Sequence, residues 1–348
     1  MEKLLTVAVP AYNATWCLDK CLSSFITDPI LEELEVIIIN DGSTDNTREV
    51  AMIYIEKYPS VFKLLDKENG GHGSAINEAI KQAKGKYFKV VDADDWIVTE
   101  NLNSLLDVLS ETEADAVLNH FQKVDMTSGR REVFQIRDIS LNKVYSLDEF
   151  TAHPGKIYHC VSFHGLTYRT KIYRESDTVL TEGIYYEDQE YATLPFLKVK
   201  TILPLDMYFY EYLVGNINQS ISDSNQVARL WQIEHVVSRL FRLYHENPEV
   251  SAGARRYFAH RAMEVLFSYY MVVLVKNPDK PNGRREASEF RQKMWELEPK
   301  LVEKTDRRYK IAIVMNRLGF TGRTLKLFKH PAPYALYQKV FKRNREVR

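Results

Sequence analysis

Over its first 120 residues the chain alternates short β-branched, aliphatic runs with stretches whose apolar positions recur every three or four residues. Few folds accept that pattern. The runs at 4–9, 35–40, 62–65, 87–91 and 116–121 are nearly continuous in apolar residues, as strands covered on both faces are. Between them lie helical patterns such as Ala75, Ile76, Ala79, Ile80 and Ala83, closed by Gly85. The expected class is α/β, a Rossmann-like, mostly parallel sheet with helices on both faces, followed by a helical C-terminal region. At 348 residues, with 45% hydrophobic and 27% charged residues, the chain is long enough for a catalytic domain plus such an appendage.

In a doubly wound sheet, ligands bind beyond the carboxyl ends of the strands. Polar clusters fall there. Pro10-Ala11-Tyr12-Asn13 follows the first run, Asp41-Gly42-Ser43-Thr44-Asp45 the second, and Asp92-Ala93-Asp94-Asp95 the fourth. Carboxylates crowded directly after a buried strand repel one another unless a cation or ligand sits between them. A hard divalent ion held by one or two carboxylates and by substrate phosphates meets that need, which points to Mn2+ or Mg2+. Asp41 is placed to accept the imide N–H of a uracil, with Tyr12 lying against the base. Asn69-Gly70-Gly71-His72-Gly73-Ser74 opens a helix whose backbone N–H groups and dipole suit a diphosphate, with His72 either a ligand contact or a local hydrogen-bonding group. Neither a dinucleotide fingerprint nor a P-loop is present, because Ile76 stands where the last glycine belongs and the Gly-Lys-Ser/Thr ending is missing.

Taken in order and spacing, Val9-Pro10-Ala11-Tyr12-Asn13, Asp41-Gly42-Ser43-Thr44-Asp45, Asn69-Gly70-Gly71-x-Gly73-x-Ala75-x-Asn77 and Asp92-x-Asp94-Asp95 resemble the bacterial-type family 2 glycosyltransferases of the GT-A fold. The resemblance covers residues 1–222. It implies that Pro10, Ala11, Tyr12 and Asp41 hold the nucleotide base and that Asn69, Gly70 and Gly71 belong to the nucleotide site. It places Asp92 and Ala93 at the ribose side and Asp94 on the metal, assisted by Asp95. It further implies that Glu187-Asp188 is the family's Glu-Asp pair, with Asp188 the catalytic base of an inverting transfer. Read on residues alone, that pair is equally an acidic first helical turn. Gln219-Ser220-Ile221-Ser222 is similar to a family segment that folds over the diphosphate, but its usual arginine is replaced by the neighbourhood of Asn216 and Asn218. His164 either faces the acceptor or is a satisfied structural histidine.

The implied partners are a nucleotide diphosphate sugar, with uridine diphosphate as the carrier, and the hydroxyl of a glycan or lipid-linked acceptor in cell-surface polysaccharide synthesis. A catalytic domain over 1–224 is expected, with a nucleotide-sugar half (1–121) and an acceptor half (122–224), then a helical region over 225–348. A capping box, Ser146-x-x-Glu149, starts a short helix, and Pro278, Pro281 and Gly283 interrupt the long C-terminal ones. Two other readings are a nucleotidyltransferase, which would want a basic glycine-rich loop in place of Ala11-Tyr12-Asn13-Ala14, and a non-catalytic nucleotide-sugar-binding scaffold.

Net charge is zero, yet residues 306–348 hold twelve basic and two acidic residues, so the tail is +10 and the remainder −10. Interleaved with apolar residues, the tail suits an anionic membrane surface, packing on the protein, or, least of all, nucleic acid. No nucleic acid partner is expected. The most apolar run, 265–275, has only eleven residues, so no transmembrane helix is expected. Cys17, Cys21 and Cys160 form no C-x-x-C pair and no leader pattern opens the chain, so the expected location is cytoplasmic, peripheral on the inner membrane face. Cys17 and Cys21, four apart on a helical pattern, read as inert thiols.

Overall fold

A computed structural model describes residues 3–152, 161–215 and 223–324. Strands β1 (Leu5–Ala11), β2 (Leu34–Asp41), β3 (Phe62–Lys67) and β4 (Tyr87–Val90) run parallel in the order β3-β2-β1-β4. Helices α1 (Leu18–Ser23), α2 (Thr47–Lys57) and α3 (His72–Gln82) make the crossovers. Every residue of β1, β2 and β4 is buried, which is why these strands read as unbroken apolar runs rather than alternating ones.

The second half adds β5 (Trp96–Ile97), α4 (Leu102–Glu111), β6 (Ala116–Asp125), β7 (Arg131–Phe134), β8 (Tyr145–Ser146) and α5 (Leu147–Ala152). Then come β9 (Leu166–Arg169), α6 (Thr170–Glu175), the short α7 (Asp188–Tyr191) and the long β10 (Thr201–Val214). The sheet continues β4-β9-β6-β10-β5, with β10 parallel to β6 and β9 antiparallel to both of its neighbours. The expected capping box is formed. Glu149 accepts from the backbone N–H of Ser146 at 2.9 Å, and Ser146 Oγ accepts from that of Glu149 at 3.2 Å.

Lys89 on β4 is wholly buried and donates to the carbonyls of His164 at 2.9 Å and Leu166 at 3.1 Å and to Asn119 Oδ1 at 3.3 Å. It ties β4 to the residues around β9. Loss of hydration lowers its pKa from the ordinary 10.5 to about 7. Between those values the unfolded chain binds the proton that the folded chain has released, so stability rises with pH across that window and is insensitive to Lys89 below it. Urea unfolding of the wild type is expected to gain about 1–2 kcal/mol between pH 7 and pH 8.5 relative to Lys89→Met, at about 1.4 kcal/mol per pH unit fully developed. Parallel pH slopes for the two proteins would refute this assignment.

By compactness the chain divides into one unit of Met1–Gln219 with Asn247–Phe258 and another of Ser220–Glu246 with Ala259–Arg348. The helices of the C-terminal region are α8 (Asp223–Ala228), α9 (Leu230–Glu246), α10 (Ala252–Tyr270), which continues as a π-turn over Met271–Lys276, α11 (Lys280–Leu297), α12 (Pro299–Lys304) and α13 (Asp306–Arg317). The expected interruption at Pro278–Gly283 is shorter than its composition suggests. Pro281 sits in the first turn of α11, where its missing N–H has no intrahelical partner to lose. Gly283 lies inside the same helix because a Cβ there would stand 2.2 Å from the Val273 carbonyl oxygen.

Ala252–Lys276 forms one continuous helical stretch of 25 residues with mean hydropathy 1.3 in its most apolar window, long and apolar enough to cross a membrane by length and composition. The eleven-residue run did not foretell it. The stretch extends through Tyr257, Phe258, Leu266, Tyr269 and Tyr270, all wholly buried, and 61% of its window is buried, as in a core helix. The start of the basic tail is helical, with Arg308 paired to Glu264 and Asp306 to Arg291. Residues 325–348 lie outside the described residues.

Candidate active site

At the carboxyl ends of β1 and β2 a cavity of about 340 Å³ is lined by Pro10, Ala11, Tyr12, Asp41, Asn69, Gly71 and His72. The Tyr12 ring is 55% exposed. Asp41 is buried, and its carboxylate is largely occupied: Oδ1 accepts from Lys67 Nζ at 2.7 Å and from the Gly70 N–H at 3.0 Å, and Oδ2 from the Gly71 N–H at 2.8 Å. Two of the N–H groups expected to face a diphosphate therefore hold Asp41 instead. One Oδ2 lone pair of Asp41 is left for a base.

Asp92, Asp94 and Asp95 follow β4 and offer oxygens within 4.8 Å of one another, with Ala93 buried in the same turn. Asp95 is fixed from both sides, accepting from Tyr210 Oη at 2.6 Å and from the Leu213 N–H at 2.7 Å. Burial and then the Asp92 charge push the Asp94 carboxyl up to about 6. Burial, Asp92 and Asp94 push Asp95 well above the usual range. A divalent cation relieves that repulsion, and Asp94 with the second oxygen of Asp92 is the donor set that fits one, with Asp95 behind it as a support.

His72, the first residue of α3, joins this cluster to a segment far along the chain. Its Nε2 lies 2.8 Å from Asp92 Oδ1 and its Nδ1 2.7 Å from Glu187 Oε1. Burial disfavours the imidazolium, but Asp92 and then Glu187 outweigh it and hold the His72 pKa well above the usual 6.5. The same motif fastens residues 180–187 at further points. Asn77 Nδ2 donates to the Leu180 carbonyl at 2.9 Å while Asn77 Oδ1 accepts from the Leu180 N–H at 2.8 Å. Gly183 N–H donates to the Gly70 carbonyl at 2.9 Å. Gly71 has φ of 84°, and a Cβ on Gly73 would lie 2.6 Å from the Thr181 oxygen, so both positions call for glycine. The glycine motif thus works as a clasp between the two halves of the domain.

The acidic run beyond it divides its work. Glu187 stands at the N-terminal boundary of α7 but turns its side chain to His72 instead of capping the helix, and its buried Oε2 accepts no hydrogen bond among the described residues. Glu190 accepts from the Thr181 N–H at 2.7 Å and the Thr181 hydroxyl at 2.8 Å. Asp188, partly exposed, accepts from its neighbour Gln189 at 2.9 Å. Tyr186, just before the pair, is held at φ 74°, a conformation that costs of order 1 kcal/mol for a residue with a Cβ. Asp94 and Asp188 stand outside the lining of the base cavity, yet burial and the charges of Asp95, Asp92, Asp188 and Asp94 together raise the pKa of Tyr212. Those four carboxylates therefore share one field.

His164 packs as an aromatic ring, 4.2 Å from Tyr212 and 5.0 Å from Phe121, and burial lowers its pKa to about 4. Gln219 and Ser220 lie outside the described residues, as does Cys160. Cys17 and Cys21 are the inert thiols expected, burial raising both, Cys17 to about 12. Lys67, Gly183, Ile184 and Tyr185, which also border the base cavity or its carboxylate, carried no signal in the sequence pattern. Only the proximity of residues 183–185 to Glu187 singles them out.

Residues 6–175 match the model of glycosyl transferase family 2. The poly(ribitol-phosphate) beta-glucosyltransferase of Bacillus spizizenii is 28% identical over 222 residues, which is 63% of this chain and 33% of that protein. Across three of the curated relatives that the chain matches, the matched stretch spans 26% to 61% of their length. The crystal structure of Staphylococcus aureus TarS 1–349 shares the fold with a TM-score of 0.64 at 19% identity, covering 91% of this chain and 92% of that one. The same fragment in complex with UDP-GlcNAc matches with a TM-score of 0.59 at 19% identity, over the same 91% and 92%. With this sheet and motif order, the match to the family model makes residues 6–175 a glycosyl transferase family 2 domain.

Proposed function

We propose that the chain transfers a sugar, with inversion, from a nucleoside diphosphate sugar to a hydroxyl of a glycan or lipid-linked acceptor. The observation that carries this reading is the His72 bridge, which joins the nucleotide-side Asp92 to the acceptor-side Glu187, 115 residues beyond His72 itself, in one site. Tyr12 and the remaining lone pair of Asp41 receive the base. Asp188, held in the first turn of α7, takes the proton of the attacking hydroxyl. Asp94 and Asp92 would hold a divalent cation, which when bound neutralises charge on the departing diphosphate. An in-line displacement needs a base on the side of the nucleophile and charge neutralisation on the side of the leaving group, the division of labour proposed for Asp188 and for Asp92 with Asp94.

Uridine diphosphate as carrier is supported by the TarS fragment solved with UDP-GlcNAc, and a polyol-phosphate or related cell-surface polymer by the poly(ribitol-phosphate) transferase among the relatives. Uridine diphosphate with manganese is expected to raise the melting temperature by several degrees, since saturation at a hundredfold over Kd stabilises by about 2.7 kcal/mol. Asp94→Asn should remove the manganese-dependent part of that shift. A shift with guanosine diphosphate and none with uridine diphosphate would reject the donor assignment.

A further inference from the structure

Within the C-terminal unit, α8, α9 and α11, with Asn277, line a second, open cavity of about 650 Å³ whose lining departs from ordinary helix packing. Trp231 and Glu234 lie three apart on α9. Asn282, Glu286, Glu289 and Lys293 recur at four- and three-residue steps along α11. Helices that merely pack together present apolar stripes to one another, yet here the apolar Leu230, Trp231 and Phe290 share the lining with these polar groups. Trp231 is 57% exposed. Tyr269 donates to Glu234 Oε1 at 2.9 Å and Asn282 Nδ2 to Glu286 Oε1 at 2.9 Å, so one oxygen of each carboxylate is satisfied. Glu286 Oε2 is buried and has no donor among the described residues. A buried acceptor without a donor is unfavourable, and a hydroxyl donor seated in the pocket would relieve it.

We infer that this pocket binds a neutral sugar or alditol unit, a site separate from the one that performs the transfer. Hydroxyl groups donate to Glu286 Oε2 and to the free side of Glu234, and both accept from and donate to the Asn282 amide. The Trp231 face takes the C–H side of the ring, the apolar component such ligands need. Three carboxylates against the single Lys293 exclude a phosphate or a uronate, which separates this ligand from the nucleotide sugar. The volume lies in the range of ordinary small-ligand sites. That the unit belongs to an acceptor polymer rests on the function proposed above; that the pocket binds a polyol does not.

Saturation-transfer NMR of the full chain with a panel of neutral disaccharides and alditols tests the inference, alongside the uridine diphosphate melting shift as an independent check of the donor site. For at least one probe, transfer to the sugar C–H protons is expected, unchanged by added uridine diphosphate and lost in both Trp231→Ala and Glu286→Gln. The first of these is a surface change and leaves the melting temperature within a degree or two. No transfer from any probe, or transfer that persists in Trp231→Ala, overturns the inference. So does a response to magnesium or calcium alone that Glu286→Gln abolishes, because the orphan oxygen is then a cation ligand. A missing melting shift beside intact sugar transfer in the wild type would count against the donor reading only.

Discussion

Asp188→Asn is expected to lower sugar transfer by about 10³-fold while leaving uridine diphosphate affinity within about twofold of wild type, since general-base catalysis contributes about 10²–10⁴. The amide keeps the shape of the side chain and its contact with Gln189 but offers no strongly basic lone pair for the acceptor proton. Transfer and donor affinity must therefore separate. Glu187 and Glu190 cannot substitute, because Glu187 faces His72 and Glu190 is buried against Thr181. Single-turnover kinetics with saturating donor, beside calorimetry with uridine diphosphate, measures both quantities. Wild-type turnover in Asp188→Asn would remove the base from this position and favour a chain that binds nucleotide sugars without turning them over.

His72→Ala is the second large effect. The imidazole touches both Asp92 and Glu187 at hydrogen-bond distance, so its removal leaves two carboxylates facing a void and releases Glu187 from the start of α3, although Asn77 and Gly70 still hold the segment before it. Loss of a group that orients others typically costs 10–100-fold, and kcat is expected to fall by about that much with a smaller change in the KM for donor. A purely structural histidine would instead show itself in melting temperature alone. Glu187→Gln provides the sharper measurement: if His72 acts through Glu187, the double variant is no slower than His72→Ala, because residues that act as one unit are not additive. Multiplying losses would show that the two act separately.

Much of the first half could be read from residue order. The observed β1, β2, β3 and β4 fall within two residues of the apolar runs; β1, β2 and β4 are covered on both faces, so few polar residues blur their limits. The antiparallel entry of β9 between β4 and β6 left no trace, since Leu166–Arg169 is four residues long and its partners are set by distant pairing rather than by local pattern. Pro281 and Gly283 misled for the opposite reason. Both read as breakers in isolation, but a helix start tolerates the first and the close approach of Val273 demands the second.

The site shows the same division. Each acidic cluster was visible in its own motif, while the partners that give each carboxylate its task were not. Asp95 joined the candidate metal ligands on spacing, yet Tyr210 and the Leu213 N–H, more than 110 residues later, hold both of its oxygens. Asp41 read as a base contact, and Lys67 with two glycine N–H groups makes it also the fastening of the loop beside it. Partners this far apart are chosen by the fold, which a linear pattern does not record.

The place of β9 carries a consequence for how the chain emerges from a ribosome. With only residues up to 125 available, β4 has no outer neighbour and β6 has nothing to dock on, because the four residues that join them are still unmade. At about 5–20 residues per second, that edge stays open for some seconds, which makes the half-made sheet a natural client for chaperones. His72 waits longer still for Glu187. The cavity beside Asp41, lined in part by Gly183, Ile184 and Tyr185, is therefore completed only as Glu187 and Asp188 themselves emerge.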